Sequence, residues 1–340
     1  MTKGNSNQVK QYILNLIDKN DKNFIRKTVE TFGVSKSSVY NYVKQMCDDN
    51  VLKKLDHPGR FYKIVDITHE FQYNNDGTLG EDKIFRWDIQ PLLQGLKKNA
   101  FSIWQYTFTE MMNNAIEHSG ASKITVSVSV NSLKTKICIA DNGIGIFKNI
   151  QTFLKKEKNV DLPPEDCLSL LFVGKFTTMK SCHSGEGIFF TSHLMDEFCI
   201  FSDNMVFSRT NFADETMEYN TDVPGTSVVM ELSNQTKKIS KDVFDRFSDI
   251  DEGFIRTHIP IAHMFPYGNP ISRSEARRLG ALIPEFREIT LDFAGVEEVG
   301  QAFCHELFVV WQGNNSNSLL HTINECENVH FMIQRVKNTK

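Results

Sequence analysis

Four short segments between residues 108 and 226 constrain the fold of this chain more than any other feature. The first is Phe108-Thr109-Glu110-Met111-Met112-Asn113-Asn114-Ala115-Ile116-Glu117-His118. Glu110 and Asn114 are four apart, so on a helix they project from one face. A carboxamide oxygen there can ligate Mg²⁺ held by nucleotide phosphates. A carboxylate one turn earlier can polarise an attacking water or hydroxyl. Taken alone, the segment also reads as an amphipathic helix with a polar wet face. Lys123–Val130 and Lys134–Ala140 alternate strongly and are predicted strands. The second runs into Asp141-Asn142-Gly143-Ile144-Gly145. A carboxylate at a strand end can accept the exocyclic amine of adenine, and the glycines let backbone pass close to a base. Phe176-Thr177-Thr178-Met179-Lys180 then leads to Gly185-Glu186-Gly187, whose backbone N–H groups at a helix start suit phosphates. Pro224-Gly225-Thr226 precedes a further alternating strand, Ser227–Leu232.

The order Glu-x-x-x-Asn-Ala, Asp-x-Gly-x-Gly, Gly-x-Gly and Gly-Thr resembles the N, G1, G2 and G3 boxes of the GHKL (gyrase, chaperone, histidine kinase, MutL) ATPase superfamily. The resemblance covers residues 93–235 and implies an α/β sandwich, a mixed sheet covered by helices, that binds ATP and Mg²⁺. Carried over by position, it makes Asn114 the metal ligand and Glu110 the general base. Asp141 reads adenine, and Gly143 and Gly145 shape the base pocket. Gly185 and Gly187 line the phosphates under a lid built from about 175–183, which contains Lys180 as a further nucleotide ligand. Thr226 supports Asp141 through water or a direct hydrogen bond, and His118 has a structural role. One departure stands out. Many kinases of the superfamily read Gly-x-Gly-Leu-Gly-Leu in the second glycine box, whereas here Gly187 is followed by Ile188-Phe189-Phe190. Nucleotide binding is expected to survive, with altered lid motion and turnover. Glu186, beside the expected phosphates, is read as pointing to solvent.

Residues 1–65 show a different pattern. Val9, Ile13, Leu16 and Ile17 form one helical stripe, and Ile25, Val29 and Phe32 mark a second helix ended by Gly33. Ser35 suits the N-cap of a third. In that third helix Val39, Tyr42, Val43 and Met46 face inward, and Lys36, Ser37, Tyr40, Asn41 and Lys44 face outward. Small polar residues followed by a lysine suit base edges and phosphates in a major groove. Val51–Leu55 and Phe61–Val65 then flank a tip carrying Arg60. This part resembles a winged helix-turn-helix, implying DNA contact through Lys36, Ser37, Tyr40, Asn41, Lys44 and Arg60. The other reading is a three-helix module that binds only protein. Charge favours DNA: residues 1–64 carry a net +6 and the remainder −10, within a total of −4.

Residues 66–92 read as linker plus an entering strand, and 236–258 as a charged, helical linker. Residues 259–340 alternate strand and helix. Ile271–Leu279 opens like an N-capped helix, Ile289–Phe293 is a buried-strand pattern, and a helix carries Ala302, Phe303, Glu306, Leu307 and Val310. Leu319–Thr322 and Val329–Ile333 add a strand and a helix start. The Leu-Asp-Phe-x-x-Val stretch running into a helix resembles the STAS-like domains fused to GHKL domains and, more distantly, anti-anti-sigma factors. In the latter a serine opening the second helix accepts phosphate. Val299-Gly300-Gln301-Ala302-Phe303 has no hydroxyl there. Ser272 or Ser274 could substitute, though helix capping is the simpler role. Cys304 and His305 match no metal or thiol-protease spacing and are read as packing or surface residues.

The whole is thus expected to be a multi-domain α/β protein with three working parts. Seven scattered cysteines without CxxC spacing point to a reducing compartment, and with no apolar run near ~20 residues the chain is expected to be cytoplasmic. Three functions compete: an ATP-gated transcription regulator that binds DNA at one end and a partner protein through the STAS-like part; a serine or histidine protein kinase acting in trans, as anti-sigma factors do; and a protein-binding scaffold. Whether it is an enzyme, an ATPase or kinase, is left open, as is a homodimer; no membrane contact is expected.

Overall fold

The computed structural model describes residues 3–56, 61–158, 167, 170, 171, 173, 174, 185–208, 224–249, 251–265, 268–284 and 286–338. Helices α1 (Lys3–Asp18), α2 (Phe24–Phe32) and α3 (Lys36–Asp48) precede an antiparallel hairpin of β1 (Leu52–Lys54) and β2 (Tyr62–Ile64). Ser35 caps α3 by accepting the Ser38 N–H at 3.1 Å. Val9, Ile13, Leu14 and Ile17 meet Val39, Val43 and Met46 in a small core of their own, closed by Leu52 and Ile64. One further member of that core, Leu133, comes from the middle of the chain.

The second core is far larger. Strand β3 (Ile67–Asn74) opens a six-stranded sheet with β4 (Lys123–Val130), β5 (Lys134–Asp141), β6 (Glu197–Ser202), β7 (Met205–Ser208) and β8 (Thr226–Ser233), in the order β3-β4-β5-β8-β6-β7. The expected mixed sheet is instead antiparallel at every pairing among the described residues. The reason is topological. β5 and β6 do run parallel, but β8 returns between them and is antiparallel to both, so no parallel pair shares a ladder. Ile124, Val126, Val128, Ile137, Ile139, Met230 and Leu232 lie on one face with the helices over them. Thr125, Ser127, Ser129 and Cys138 lie on the other, which is only partly covered. The alternating sequence therefore makes a two-layer unit.

The 66–92 stretch is mostly part of this unit. β3 pairs along its length with β4. After it, α4 (Glu81–Ile84) continues through a π-helical turn, Phe85–Ile89, and a 3₁₀ turn, Gln90–Leu93, and Ile84, Phe85, Ile89 and Leu93 are buried in the same core. Helix α5 (Lys98–Asn113) follows and ends in another π-helical turn, Asn114–His118. Helices α6 (Ile146–Lys158) and α7 (Gly187–Leu194) flank the site described below.

Beyond the sheet, α8 (Ser240–Phe247) and a minimal hairpin of β9 (Ser248–Asp249) and β10 (Gly253–Phe254) occupy the stretch read as linker. Phe244 and Phe247 of α8 pack on the large core. The C-terminal unit is a parallel sheet in the order β11-β12-β13, formed by β11 (Arg256–Pro260), β12 (Glu288–Asp292) and β13 (Leu319–Ile323). Its helices are α9 (Ile261–Met264), α10 (Arg273–Leu282), α11 (Gln301–His305), which runs on through a π-helical turn Glu306–Trp311 into α12 (Gln312–Asn314), and α13 (Glu327–Asn338). Its buried residues and those of the six-stranded unit form one continuous apolar cluster.

Candidate functional site

A cavity of about 260 Å³ opens where α5, the β5–α6 turn, α7 and β8 converge. Its lining includes Glu110, Asn114, Asp141, Gly145, Gly185, Gly187, Thr226 and His118. Residues from four separated segments are thereby brought together. Gly143 stands one step outside the lining, and its N–H donates to Asp141 Oδ1 at 2.8 Å. Lys180 and the 175–183 stretch lie outside the described residues.

Asp141 ends β5 and is 9 % exposed. Burial pushes its carboxyl above the usual range, opposed by the N–H groups of Gly143 and Thr226. Both donate to Oδ1, at 2.8 and 3.3 Å, while Oδ2 takes no hydrogen bond among the described residues. Thr226 therefore supports Asp141 through its backbone. Its hydroxyl is engaged elsewhere, accepting the Ile146 N–H at 3.0 Å and lying 3.3 Å from Ser202 Oγ.

Glu110 and Asn114 share the cavity because α5 is still α-helical between them, with Asn114 N–H reaching Glu110 O. Gly187 opens α7 directly against Glu110, and a Cβ on it would collide with the carboxylate oxygen Oε2. Any larger residue at 187 would force the Glu110 carboxylate to swing away from that position. One turn before Glu110 on α5, the Tyr106 phenol is held far above its usual range, first by burial and then by the charges of Glu110 and Glu186. Glu186 is thus not a simple solvent-facing residue. It is half-buried and close enough to act on the same phenol.

Sequence reasoning missed the residues that hold the Asp-x-Gly-x-Gly turn in place. Ser202 Oγ accepts the Ile146 N–H at 3.1 Å and donates to Gly225 O at 2.9 Å. Asp203 pairs with Lys148 at 3.0 Å. Ser119 O accepts the Ile144 N–H at 2.9 Å, and Asn149 Nδ2 donates to His118 O at 2.7 Å. None belongs to a short motif. They arrive from the end of the α5 helix, from β6 and the turn after it, and from α6, and no local signal marks them.

On α3, Lys36, Ser37, Tyr40, Asn41 and Lys44 are all exposed, and Tyr40 keeps 55 % of its surface. Val39, Val43 and Met46 are buried on the opposite side. Arg60 lies outside the described residues. In the C-terminal unit Ser272 caps α10 in a capping box, its Oγ accepting the Glu275 N–H at 3.2 Å. Gly300 is the N-cap of α11 and offers no hydroxyl.

Cys304 is fully buried, and burial pushes its thiol up to about 12, whereas Cys326 is exposed. Thiolate is the reactive form. In a timed alkylation of the native protein mapped by mass spectrometry, Cys326 should be modified early. Cys304 should stay unmodified until denaturant is added. Early labelling of Cys304 would contradict this packing.

Residues 275–330 match the model of a family described as a STAS-like domain of unknown function (DUF4325). The C-terminal unit is therefore STAS-like. No curated protein matches the chain.

Proposed function

We propose that this chain is an ATP- and Mg²⁺-binding signalling protein of the GHKL type, in which the nucleotide domain gates a DNA-binding winged helix and the STAS-like unit docks a partner protein. One observation carries the reading. Residues selected by motif from 110 to 226 line one cavity.

The residues present fit the cofactor. Asp141 Oδ2 is a carboxylate acceptor in the cavity lining with no protein partner among the described residues, suited to the adenine amine. Gly185, at φ 75°, and Gly187 both line the cavity, and at Gly187 a Cβ would meet the Glu110 carboxylate. Among the described residues no three His, Cys, Asp or Glu side chains form a metal cage. A Mg²⁺ ion would accordingly be held by Asn114 together with phosphate oxygens and water. Bound ATP would supply a γ-phosphoryl group for transfer to water or to a partner's acceptor. Glu110 takes the proton of the attacking group, and Asn114 orients the metal. The exposed face of α3, with Arg60, contacts DNA through Lys36, Ser37, Tyr40, Asn41 and Lys44.

A second reading, a kinase acting in trans, draws on the C-terminal unit. Gly300-Gln301 offers no acceptor, and Ser272 is engaged in the α10 cap with Ser274 Oγ 3.0 Å from it, so this reading takes the substrate hydroxyl or imidazole from another chain.

Incubation with γ-labelled ATP and Mg²⁺ separates these readings. Free phosphate released by the wild type, reduced roughly 10²–10⁴-fold in Glu110→Ala and lost in Asn114→Ala, supports the ATPase switch. Label appearing on a partner supports the kinase. Absence of ATP binding refutes both. DNA affinity identical in apo, ADP and ATP forms would remove the gating role.

A further inference from the structure

The Ile188-Phe189-Phe190 run behind the second glycine pair has no part in the chemistry above. Phe189 and Phe190 are each only 1 % exposed. Their neighbours lie on the C-terminal side of the molecule. Ring centroids are 4.7 Å apart for Phe189 and Phe254, 5.1 Å for Phe190 and Phe254, and 5.2 Å for Phe254 and Phe286. Phe286 lies just before β12, inside the STAS-like unit. The chain of rings therefore starts at Phe189, which lines the cavity, and ends at Phe286, two residues before the central strand of that unit's sheet.

A second, polar tie runs beside the first. Thr257 on β11 is buried, and its hydroxyl donates to Val173 O at 2.7 Å. Gly174, the next residue, also lines the cavity. It sits at φ 83°, and a Cβ there would stand 2.9 Å from both the Phe189 and the Phe254 rings. The cavity wall at Val173–Gly174 and the start of α7 are thus pressed against β10 and β11. Packed side chains and a buried hydrogen bond are the physical means by which a shift at one end displaces the other.

From this we infer that the STAS-like unit is a built-in regulator of the nucleotide cavity, not an independent docking arm. Resting on the nucleotide reading above, the inference assigns the tilted and edge-on Phe189–Phe254–Phe286 ring contacts and the Thr257–Val173 bond as the coupling element. Occupancy of the cavity is passed to the C-terminal sheet. By reciprocity, a protein bound to that sheet changes nucleotide affinity by the same factor.

The test uses the full chain, with ATP and Mg²⁺ as the probe. Amide exchange and the ATP Kd are measured for wild type, Thr257→Val and Phe254→Leu. Thr257→Val keeps the branched shape and replaces the hydroxyl that donates to Val173 O by a methyl group. In the wild type, ATP should slow exchange in peptides spanning 254–260 and 286–292. In each variant that remote protection should shrink and Kd should rise about fivefold or more, within the usual range of coupling. Exchange in β3 and β4 should stay unchanged, showing an intact fold. If ATP binds the wild type and exchange in 254–260 does not respond, the inference is overturned while the nucleotide reading stands. Wild-type ATP affinity in both folded variants overturns it equally. Failure of the wild type to bind ATP at all is a separate result, read from the titration, and overturns both.

Discussion

Asp141→Asn is expected to weaken ATP binding about tenfold or more and, at neutral pH, to make the protein more stable. Both effects come from one buried carboxyl group. Oδ1 is fixed by the N–H groups of Gly143 and Thr226. An asparagine would keep its carbonyl oxygen there, because only an acceptor satisfies two donors. Its NH₂ group would then take the place of Oδ2. A donor would meet the donating amine of adenine where an acceptor stood before. An unmade buried hydrogen bond of this kind costs roughly 1–3 kcal/mol, and each ~1.4 kcal/mol is tenfold in Kd. The stability effect has the opposite sign. Burial raises the Asp141 pKa above its unfolded value. For a carboxyl group shifted that way, the contribution to stability is fully present below the unfolded pKa. It is lost as pH rises through the folded pKa. The neutral amide escapes that loss. Thermal unfolding of wild type and variant should therefore differ most near pH 7 and converge as pH falls toward ~4, the unfolded value for Asp. Unaltered ATP affinity in the variant would mean that Asp141 does not read the base.

How far this site was legible depends on whether the signal was local. Alternation in β4, β5 and β8 is a property of consecutive residues, and their inward sets, such as Ile124, Val126 and Val128, are plain in the sequence. Strand pairing is not local. Nothing in Thr226–Ser233 says that it slots between β5 and β6, and that insertion made the expected mixed sheet antiparallel. Likewise Phe71 and Tyr73 show an inward pair within a polar stretch. Only pairing with β4 makes that stretch part of the sheet. At the site, spacing selected Thr226 but could not say which atom works. The backbone N–H serves Asp141, while the hydroxyl joins Ser202 in holding Ile146. Phe189 and Phe190 were visible as a departure from the glycine-box pattern. Their explanation required Phe254 and Phe286, which are more than 60 residues away in the chain.

Leu133→Asp should detach the N-terminal unit from the rest of the molecule without unfolding either. Leu133 sits in the β4–β5 turn, held there by its N–H to Asn131 Oδ1 at 2.8 Å. Leu133 is 6 % exposed and, among the described residues, is the one buried member of the small core from outside residues 9–64. Removing a buried leucine to alanine costs about 2–5 kcal/mol, and an unpaired carboxylate in an apolar cluster costs further. The cheapest relief is separation at that contact, because the other buried residues of the cluster all come from α1 to β2 and the residues between them. Lys134 adds little to the tie. It reaches Asp18 at 3.7 Å and Glu231 at 2.9 Å, and it is partly exposed. Pairs of that kind contribute ~0–1 kcal/mol. Lys134→Ala is thus the control that should leave the units together. In Leu133→Asp, calorimetry should resolve two unfolding transitions, and the radius of gyration should rise. On the DNA-binding reading proposed above, retention by α3 should persist, because its exposed face is untouched. What should disappear is the dependence of DNA affinity on ATP, since β5 runs from Lys134 beside this contact to Asp141 in the cavity, and a freed unit no longer feels that strand. An ATP response as large as that of the wild type would place the gating path somewhere other than Leu133.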